Sequence, residues 1–218
     1  PEPKRVFSDD QIAQLNDAAA ERSSESLLIC LLALDGNLRV SEICAPEWED
    51  VDFDAGTIII RHNVYKGERQ TPKGEIKTLA VSKAVMRALT KHQKRRLEAD
   101  EPEGPLVLYR RSQHTDWQWA AHTPHSVSHA LNATQERGQV ARSGPHLLRH
   151  TGLTRLARLG ANPYIVQSMA RHARLQTTQA YLHLQQCTVS REAADLLDTA
   201  ADKPRGKRLA NQAKPRRK

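Results

Sequence analysis

The chain has 218 residues, 39% of them hydrophobic, and a formal net charge of +8, a length sufficient to bury a core in one domain or in two small ones. No apolar run approaches the length of a membrane span, and no charged start followed by an apolar segment indicates a signal peptide. Cys30, Cys44 and Cys187 are odd in number and lack C-x-x-C spacing, so they indicate neither a disulfide framework nor a zinc site, and we expect a cytoplasmic protein in a reducing setting.

The first part of the chain predicts three helices. One begins after Ser8, because Ser8 and Gln11 have the spacing of a capping box. The segment "SSESLLICLLALDG" predicts a largely buried helix that ends at Gly36. The following "LRVSEICAPEW" predicts a short helix, which Pro46 ends or kinks.

The middle of the chain predicts one small antiparallel sheet, the only convincing β region of the sequence. "GTIIIRHNVY" is β-branched and alternating, as strands are, and "KTLAVS" predicts a second strand. The intervening "KGERQTPKGE" is rich in turn residues and predicts a polar connector. Further on, "PLVLYRR" is compatible with either a short strand or a buried crossing segment.

The remaining segments predict helices, so the fold class is mainly α with a small antiparallel β-sheet (α+β). A helix starts at Ser82, and another is capped by Thr123 with Pro124 in its first position. A third starts at Pro145 and ends at Gly160. Further short helices are predicted for the segments "NPYIVQSMARHA", "TTQAYLHLQQC" and "SREAADLLDTA".

Positive charge is concentrated in two places. The 55 residues 137–191 contain eight Arg, no Lys and no acidic residue. The tail 203–218 holds eight Lys/Arg without an acid, and removing it leaves 25 basic and 25 acidic residues in 1–202. Arginine makes planar two-point contacts with phosphate oxygens. The acid-free window therefore points to a nucleic acid as partner, and the tail predicts a disordered basic arm that contacts phosphates.

Five segments, in order, resemble the catalytic domain of the tyrosine recombinases, the phage integrase family: "GNLRVSEI", "TPKGEIKTLAVS", "HLLRHTGLTRLARLG", "MARHARLQTT" and "QAYLHL". H-x-x-R-H alone is a weak signal, whereas all the residue types in the right order are a strong one. The resemblance covers about residues 8–197 and implies that family's catalytic-domain fold. It places the family's catalytic residues on Arg39, Lys73, His146, Arg149, His172 and Tyr181.

The sequence departs from the family pattern in several positions. Asn37 stands where Gly is usual, and Asn tolerates a left-handed backbone better than most residues. Leu147 replaces Asp, Arg171 replaces the Gly before His172, and Pro46 is unusual after the first Arg.

The resemblance also predicts the domain organisation. Residues 1–202 form the catalytic domain and 203–218 the basic tail, without the family's N-terminal core-binding domain. This leaves two alternatives open: an excised fragment, or a compact member of the family.

The implied activity is site-specific recombination through a covalent 3′-phosphotyrosine intermediate, without a cofactor or a metal. In it, Tyr181 is the nucleophile, His146 the base, and Lys73 the general acid. Arg39 and Arg149 clamp the non-bridging phosphate oxygens, assisted by His172. Glu42, three residues after Arg39, is expected to orient the Arg39 side chain. The family further implies a homo-tetramer on two DNA sites, with the segment after Tyr181 exchanged between subunits, and a nucleoid-associated location without a membrane.

Alternative interpretations stay open for individual residues. His146 and His150 have the i, i+4 spacing of zinc ligands, but Leu147 stands where the Glu of H-E-x-x-H would be. Taken alone, His150 fits either a structural or a supporting role. Lys66 and Lys77 are rivals of Lys73 on the same predicted hairpin, and Tyr181 also fits a half-buried helix position.

Two alternatives concern the whole function. One is a type IB topoisomerase, which shares this chemistry but relaxes DNA as a monomer. The other is a catalytically inactive DNA-binding relative, against which the presence of all six residue types argues.

Overall fold

The computed structural model describes residues 6–71, 76–99, 104–112 and 118–171. These residues are mainly helical, with short antiparallel strands, as the sequence predicted. No helix in these ranges is both long and apolar enough to cross a bilayer. The helices are α1 (Asp9–Arg22), α2 (Ser24–Leu34), α3 (Val40–Ile43), α4 (Lys83–Glu98), α5 (Pro124–Arg137), α6 (Pro145–Arg158) and α7 (Pro163–Ala170). The strands are β1 (Val51–Asp52), β2 (Thr57–Ile60), β3 (Asn63–Tyr65), β4 (Glu68–Gln70), β5 (Lys77–Ala80), β6 (Tyr109–Ser112) and β7 (Gln118–Ala121).

Helix α2 is the centre of the core. All its residues from Leu28 to Leu34 are buried, and α1, α4, α5 and α6 pack around it. A helix that is apolar on every side has to be enclosed by other elements, and this one is. The C-terminal end of α2 leads directly into the loop before α3. The buried helix therefore holds the first residues of that loop in place.

The predicted helix starts are confirmed. Ser8 and Gln11 form a reciprocal capping box, with backbone-to-side-chain distances of 3.0 and 3.2 Å. Ser82 caps α4 through the N–H of Val85, and Thr123 caps α5. Each cap satisfies an N–H group that the helix cannot pair internally.

The predicted β region is present but divided differently. Strands β1, β2 and β5 form a three-stranded antiparallel sheet that pairs Ile58 with Leu79. The prediction of one continuous strand and a strand-free connector was wrong, because β3 and β4 form a separate hairpin. Its turn residues, Lys66 and Gly67, both have positive φ (50° and 83°), a backbone that closes a two-residue hairpin.

A further hairpin of β6 and β7 was also not predicted, since the sequence favoured a single sheet. It pairs Tyr109 with Ala121. Arg96 of α4 supports its base, because its Nη1 donates to the carbonyl of Leu106 at 2.6 Å and its guanidinium lies 5.0 Å from the centre of the Tyr109 ring. The segment "PLVLYRR" was compatible with a strand, but no pattern in the sequence indicated its partner strand. The helices predicted for "TTQAYLHLQQC" and "SREAADLLDTA" lie outside the described residues.

Candidate functional site

Arg39 stands at the start of α3 and is held by Glu42 one turn later. Its backbone N–H donates to Glu42 Oε2 at 2.8 Å, and its Nη1 donates to Glu42 Oε1 at 2.6 Å. The Glu42 side chain is 7% exposed, whereas that of Arg39 is 41% exposed. The buried carboxylate therefore fixes one edge of a guanidinium whose other edge faces solvent. This confirms the predicted contact between Glu42 and Arg39.

Asn37, two residues before Arg39, has φ of +50° and is completely buried. This confirms that the asparagine adopts the left-handed backbone expected where the family has glycine. Its side-chain amide donates to the carbonyl of Asp35 at 3.1 Å, a local bond that stabilises the turn. The turn exposes the Asn37 carbonyl oxygen to α6, where it accepts hydrogen bonds from distant parts of the chain.

Helix α6 carries two of the predicted site residues. Pro145 occupies its first turn, as predicted, and His146 next to it is exposed. Arg149, one turn later, is 6% exposed. Its Nη1 donates to the carbonyl of Asn37 and its Nη2 to the carbonyl of Ala170 at the end of α7. Two carbonyls from different segments of the chain thus hold this guanidinium in place.

Gly152 allows α6 to come close enough for these bonds. A Cβ atom at this position would overlap the carbonyl oxygen of Leu34 at the end of α2 and lie 2.6 Å from Asn37 Oδ1. Any larger residue therefore has to push α6 away from the loop that holds Asn37. The glycine in "HLLRHTG" is a packing requirement for the position of Arg149.

The guanidinium of Arg171 binds the same acceptors, although the sequence did not assign this residue to the site. Its side chain is 6% exposed, and its Nη2 donates to the Asn37 carbonyl at 2.9 Å and to Glu42 Oε2. The signal that could have indicated it was the replacement of the family's glycine by a cation immediately before His172. For Asn37, the sequence predicted only the left-handed backbone, since the role of its carbonyl oxygen depends on packing.

These contacts join Arg39 and Arg149 into one network, although 110 positions separate them in the sequence. Arg39 and Arg171 share the carboxylate of Glu42, while Arg149 and Arg171 share the carbonyl of Asn37. Burial opposes the ionisation of Glu42, but the charge of Arg171 and the N–H groups of Arg39 outweigh it and hold its pKa below the usual value. Burial lowers the pKa of Arg171, and Glu42 counteracts this effect; a guanidinium stays charged at neutral pH in either case.

The hairpin that precedes Lys73 is attached to the segment following α3. Arg69 of β4 pairs with Glu47, and its Nη2 donates to the carbonyl of Ala45 at 3.2 Å. Strand β4 thereby lies beside the segment that continues from Arg39. Lys73 itself follows β4 in the sequence and lies outside the described residues, as do His172 and Tyr181.

The described part of the chain contains no group of three or more His, Cys, Asp or Glu side chains placed to hold a metal ion. His150 is half-buried on α6. What the described residues do form is a cluster of cations, in which Arg39 and Arg171 share the carboxylate of Glu42, Arg149 joins through the Asn37 carbonyl, and the Arg39 side chain stays partly exposed. Such preorganised donors suit a phosphate group.

Comparison with known proteins gives one consistent result. The model of the phage integrase family matches residues 5–187. The tyrosine recombinase XerC of Anoxybacillus flavithermus is 32% identical over 174 residues, which cover 79% of this chain and 53% of that protein. The chain therefore spans about half the length of this curated relative.

Two solved structures support the fold. The crystal structure of XerA recombinase matches with a TM-score of 0.70 at 21% identity, over 94% of this chain and 66% of that one. The Tn1549 transposon integrase, solved in complex with circular intermediate DNA, matches with a TM-score of 0.64 at 21% identity, over 83% and 63% of the two chains. This likeness confirms the predicted fold.

Proposed function

Because this chain belongs to the phage integrase family, we propose that it is a site-specific DNA recombinase that breaks and rejoins strands through a 3′-phosphotyrosine. The observation that supports the proposal is the network that links Arg39 to Arg149. Glu42 holds Arg39, the Asn37 carbonyl holds Arg149, and Arg171 donates to both of these acceptors, while the Arg39 side chain stays 41% exposed. This geometry suits the two non-bridging oxygens of one phosphodiester.

The proposed reaction conserves the energy of the broken bond. The phenolic oxygen of Tyr181 attacks phosphorus, the new P–O bond forms, and the bond to the 5′-oxygen breaks. His146 accepts the phenolic proton, which is needed because a free tyrosine has a pKa of about 10. Lys73 donates a proton to the leaving 5′-oxygen, and attack by another 5′-hydroxyl reverses the steps. No cofactor is needed in this scheme.

The main energetic obstacle to this reaction is the negative charge on the non-bridging oxygens of the phosphate. Arg39 and Arg149 stabilise the negative charge that develops in the transition state, and His172 adds a hydrogen bond. The exposed position of His146 at the first turn of α6 supports its assignment, because the N–H groups of a helix start favour an anion. The burial of Arg149 supports a preorganised donor that does not have to move when phosphate arrives.

The proposed partner is double-stranded DNA, and a structural relative has been solved with DNA bound. We assign 1–202 to the catalytic domain and 203–218 to a basic arm that contacts phosphates. We further propose a homo-tetramer on two DNA sites, with the segment after Tyr181 exchanged between subunits, acting on DNA in the cytoplasm. These assignments rest on the family resemblance and on the charge distribution of the sequence.

The decisive test is covalent capture. The chain is incubated with a pool of nicked duplexes that have a randomised central segment, so that a released end diffuses away and traps the intermediate. We expect a denaturant-resistant protein–DNA adduct that forms in EDTA and is absent from Tyr181→Phe. An adduct that survives Tyr181→Phe, or no adduct at all, overturns the proposal. Loss of the adduct in EDTA indicates a metal-dependent reaction instead.

Assembly is tested separately. A truncation after Thr188 removes the segment proposed to be exchanged, and we expect it to abolish multimer formation on captured DNA while leaving single-subunit adducts. Assembly that is unchanged by the truncation contradicts the exchange. Relaxation of a supercoiled plasmid by single subunits, with no captured sequence preference, supports the topoisomerase alternative.

A further inference from the structure

Arg171 is a buried cation in an unfavourable backbone conformation, and the proposed chemistry does not use it. It has φ of +51° and ψ of +40°, the left-handed region, where it ends α7. Glycine adopts this conformation without the steric cost that a Cβ atom imposes. The contacts of the Arg171 side chain offset part of this steric cost.

The contacts of Arg171 lie between those of the two arginines assigned to the phosphate. Glu42 Oε1 accepts from Arg39, whereas Glu42 Oε2 accepts from Arg171 and from the backbone N–H of Arg39. The Asn37 carbonyl accepts from both Arg149 and Arg171, which uses both of its lone pairs. Arg171 donates to both acceptors through the same nitrogen, Nη2.

We propose that Arg171 is a positioning residue, which locks the carboxylate of Glu42 and the carbonyl of Asn37 so that Arg39 and Arg149 present their guanidinium groups to the same phosphate. The inference rests on the proposed function for its catalytic consequence. Its structural part, the locking of Glu42 by Arg171, is independent of that function. Arg171 is buried and bound to these two acceptors, and the proposal gives it a role through Glu42 and Asn37 rather than through a contact with the phosphate.

The mechanism of the locking is electrostatic. Without Arg171, Glu42 Oε2 loses its charged partner, and a carboxylate with 7% of its side chain exposed is left with Arg39 alone. The charged groups that face Glu42 among the described residues are Arg39, on its own helix, and Arg171, at the end of α7. Both favour the ionised carboxylate, whereas burial opposes it. Removing Arg171 therefore raises the pKa of Glu42 and weakens its hold on Arg39 at mildly acidic pH.

The experiment compares Arg171→Met, which is apolar and loses the charge, with Arg171→Lys, which keeps the charge on a shorter side chain without the planar guanidinium. Arg171→Gly is included because glycine suits the left-handed backbone and protects against loss of folding. Arg87→Met is the matched control, since Arg87 is exposed on α4 and outside this network. Two quantities are measured: the pKa of Glu42 by carboxyl ¹³C NMR in the free protein, and the pH dependence of adduct formation on the nicked duplex pool.

We expect Arg171→Met and Arg171→Gly to raise the pKa of Glu42 and to slow adduct formation about tenfold to a hundredfold, as a misplaced catalytic group does, with DNA affinity unchanged. The acid limb of the rate profile moves to higher pH in both variants. Arg171→Lys restores part of the pH profile, and Arg87→Met changes neither quantity. In a Glu42→Gln background, Arg171→Met causes no further shift of the profile.

The outcomes distinguish the locking of Glu42 by Arg171 from its effect on catalysis. An unchanged pKa of Glu42 in a folded Arg171→Met or Arg171→Gly protein overturns the locking itself. A raised pKa with an unchanged rate and pH profile shows that the locking does not position the arginines, and the proposal fails while the proposed function stands. If the unmodified chain forms no adduct, the proposed function fails, and the catalytic role of Arg171 fails with it.

Discussion

Arg149 and Arg171 donate hydrogen bonds to the same backbone oxygen, the carbonyl of Asn37. One of these two cations, Arg171, also donates to the buried carboxylate of Glu42, which balances its charge. The left-handed backbone of Asn37 is the origin of this arrangement, since it turns the carbonyl away from the preceding helix and towards α6 and α7. A local turn thereby fixes side chains that the sequence separates by more than a hundred positions.

The first prediction concerns the planar, two-point contact of Arg149. Arg149→Lys cannot reach the carbonyls of Asn37 and Ala170 together, so one buried acceptor loses its donor. We expect the free energy of unfolding to fall by about 1–3 kcal/mol. The rate of adduct formation should fall by about 10²–10³-fold, the usual effect of removing one transition-state donor. Chemical denaturation and single-turnover capture measure these two quantities.

Arg158→Lys is the control for this change, because Arg158 is exposed on the same helix. It should leave the free energy of unfolding unchanged. Equal losses in both variants would show that the burial of Arg149 has no special role.

The second prediction concerns the close contact between α6 and α2. Gly152→Ala places a methyl group against the carbonyl of Leu34, so α6 has to shift. We expect a loss of about 1–3 kcal/mol in the free energy of unfolding, typical of overpacking, together with slower adduct formation. Gly144→Ala is the matched control, since a Cβ atom there meets nothing within 4 Å. A Gly152→Ala protein as stable as the control contradicts the packing role.

The third prediction concerns the pairing of two buried charges. Glu42→Gln leaves the guanidinium of Arg171 buried without its carboxylate. We expect the free energy of unfolding to fall by up to about 3–5 kcal/mol, the range for breaking a buried ion pair. The double variant Glu42→Gln/Arg171→Met should recover part of that loss, because no uncompensated charge remains. Denaturant titration of the complete mutant cycle gives the coupling energy, and simple additivity argues against the pairing.

The fourth prediction concerns pH and the buried imidazole of His92. Its ring lies 3.1 Å from Ser24 Oγ and 3.0 Å from the carbonyl of Val107. Burial lowers the pKa of His92, and the nearby Arg95 and Arg96 add to this effect, while the Val107 carbonyl and Glu25 oppose it. The folded protein therefore binds this proton less readily than the unfolded chain does. Its contribution to stability is complete above the unfolded pKa of about 6.5 and is lost as the pH falls below it.

This loss is limited to about 1.4 kcal/mol per pH unit for one proton. Urea denaturation between neutral and acidic pH measures it. His92→Gln should reduce the slope, whereas His129→Gln, at an exposed position on α5, should retain it. The same slope in all three proteins would assign the acid sensitivity to other groups.

The fifth prediction concerns the basic tail. Removing 203–218 deletes eight Lys/Arg, so DNA binding should weaken and become less dependent on salt. The slope of log affinity against log salt should decrease by about 0.9 for each lost phosphate contact. Fluorescence anisotropy with labelled duplex measures the slope. A full-length tail with its Lys/Arg replaced by Gln should behave like the truncation, and retained affinity in that variant contradicts an electrostatic role.

The sequence indicates best those features whose physical cause lies within a few neighbouring residues. The caps at Ser8, Ser82 and Thr123 involve residues within one turn, and all three were predicted and confirmed. The β3–β4 hairpin was missed, because its turn at Lys66 and Gly67 was included in a longer polar connector. The assignment of Lys73, His172 and Tyr181 to the site stays a prediction, since these residues lie outside the described ranges.

By itself, the sequence determined the fold class, the family and the pairing of Arg39 with Glu42, because helix periodicity, the order of the motifs and an i, i+3 spacing are all properties of the linear chain. Only the tertiary structure decided that Arg171 belongs to the site and that the Asn37 carbonyl joins Arg149 to it. A backbone carbonyl carries no sequence signature, and the burial of a cation depends on which helices surround it. Both are properties of packing, in which a glycine in α6 and a left-handed turn bring three distant segments within hydrogen-bonding distance.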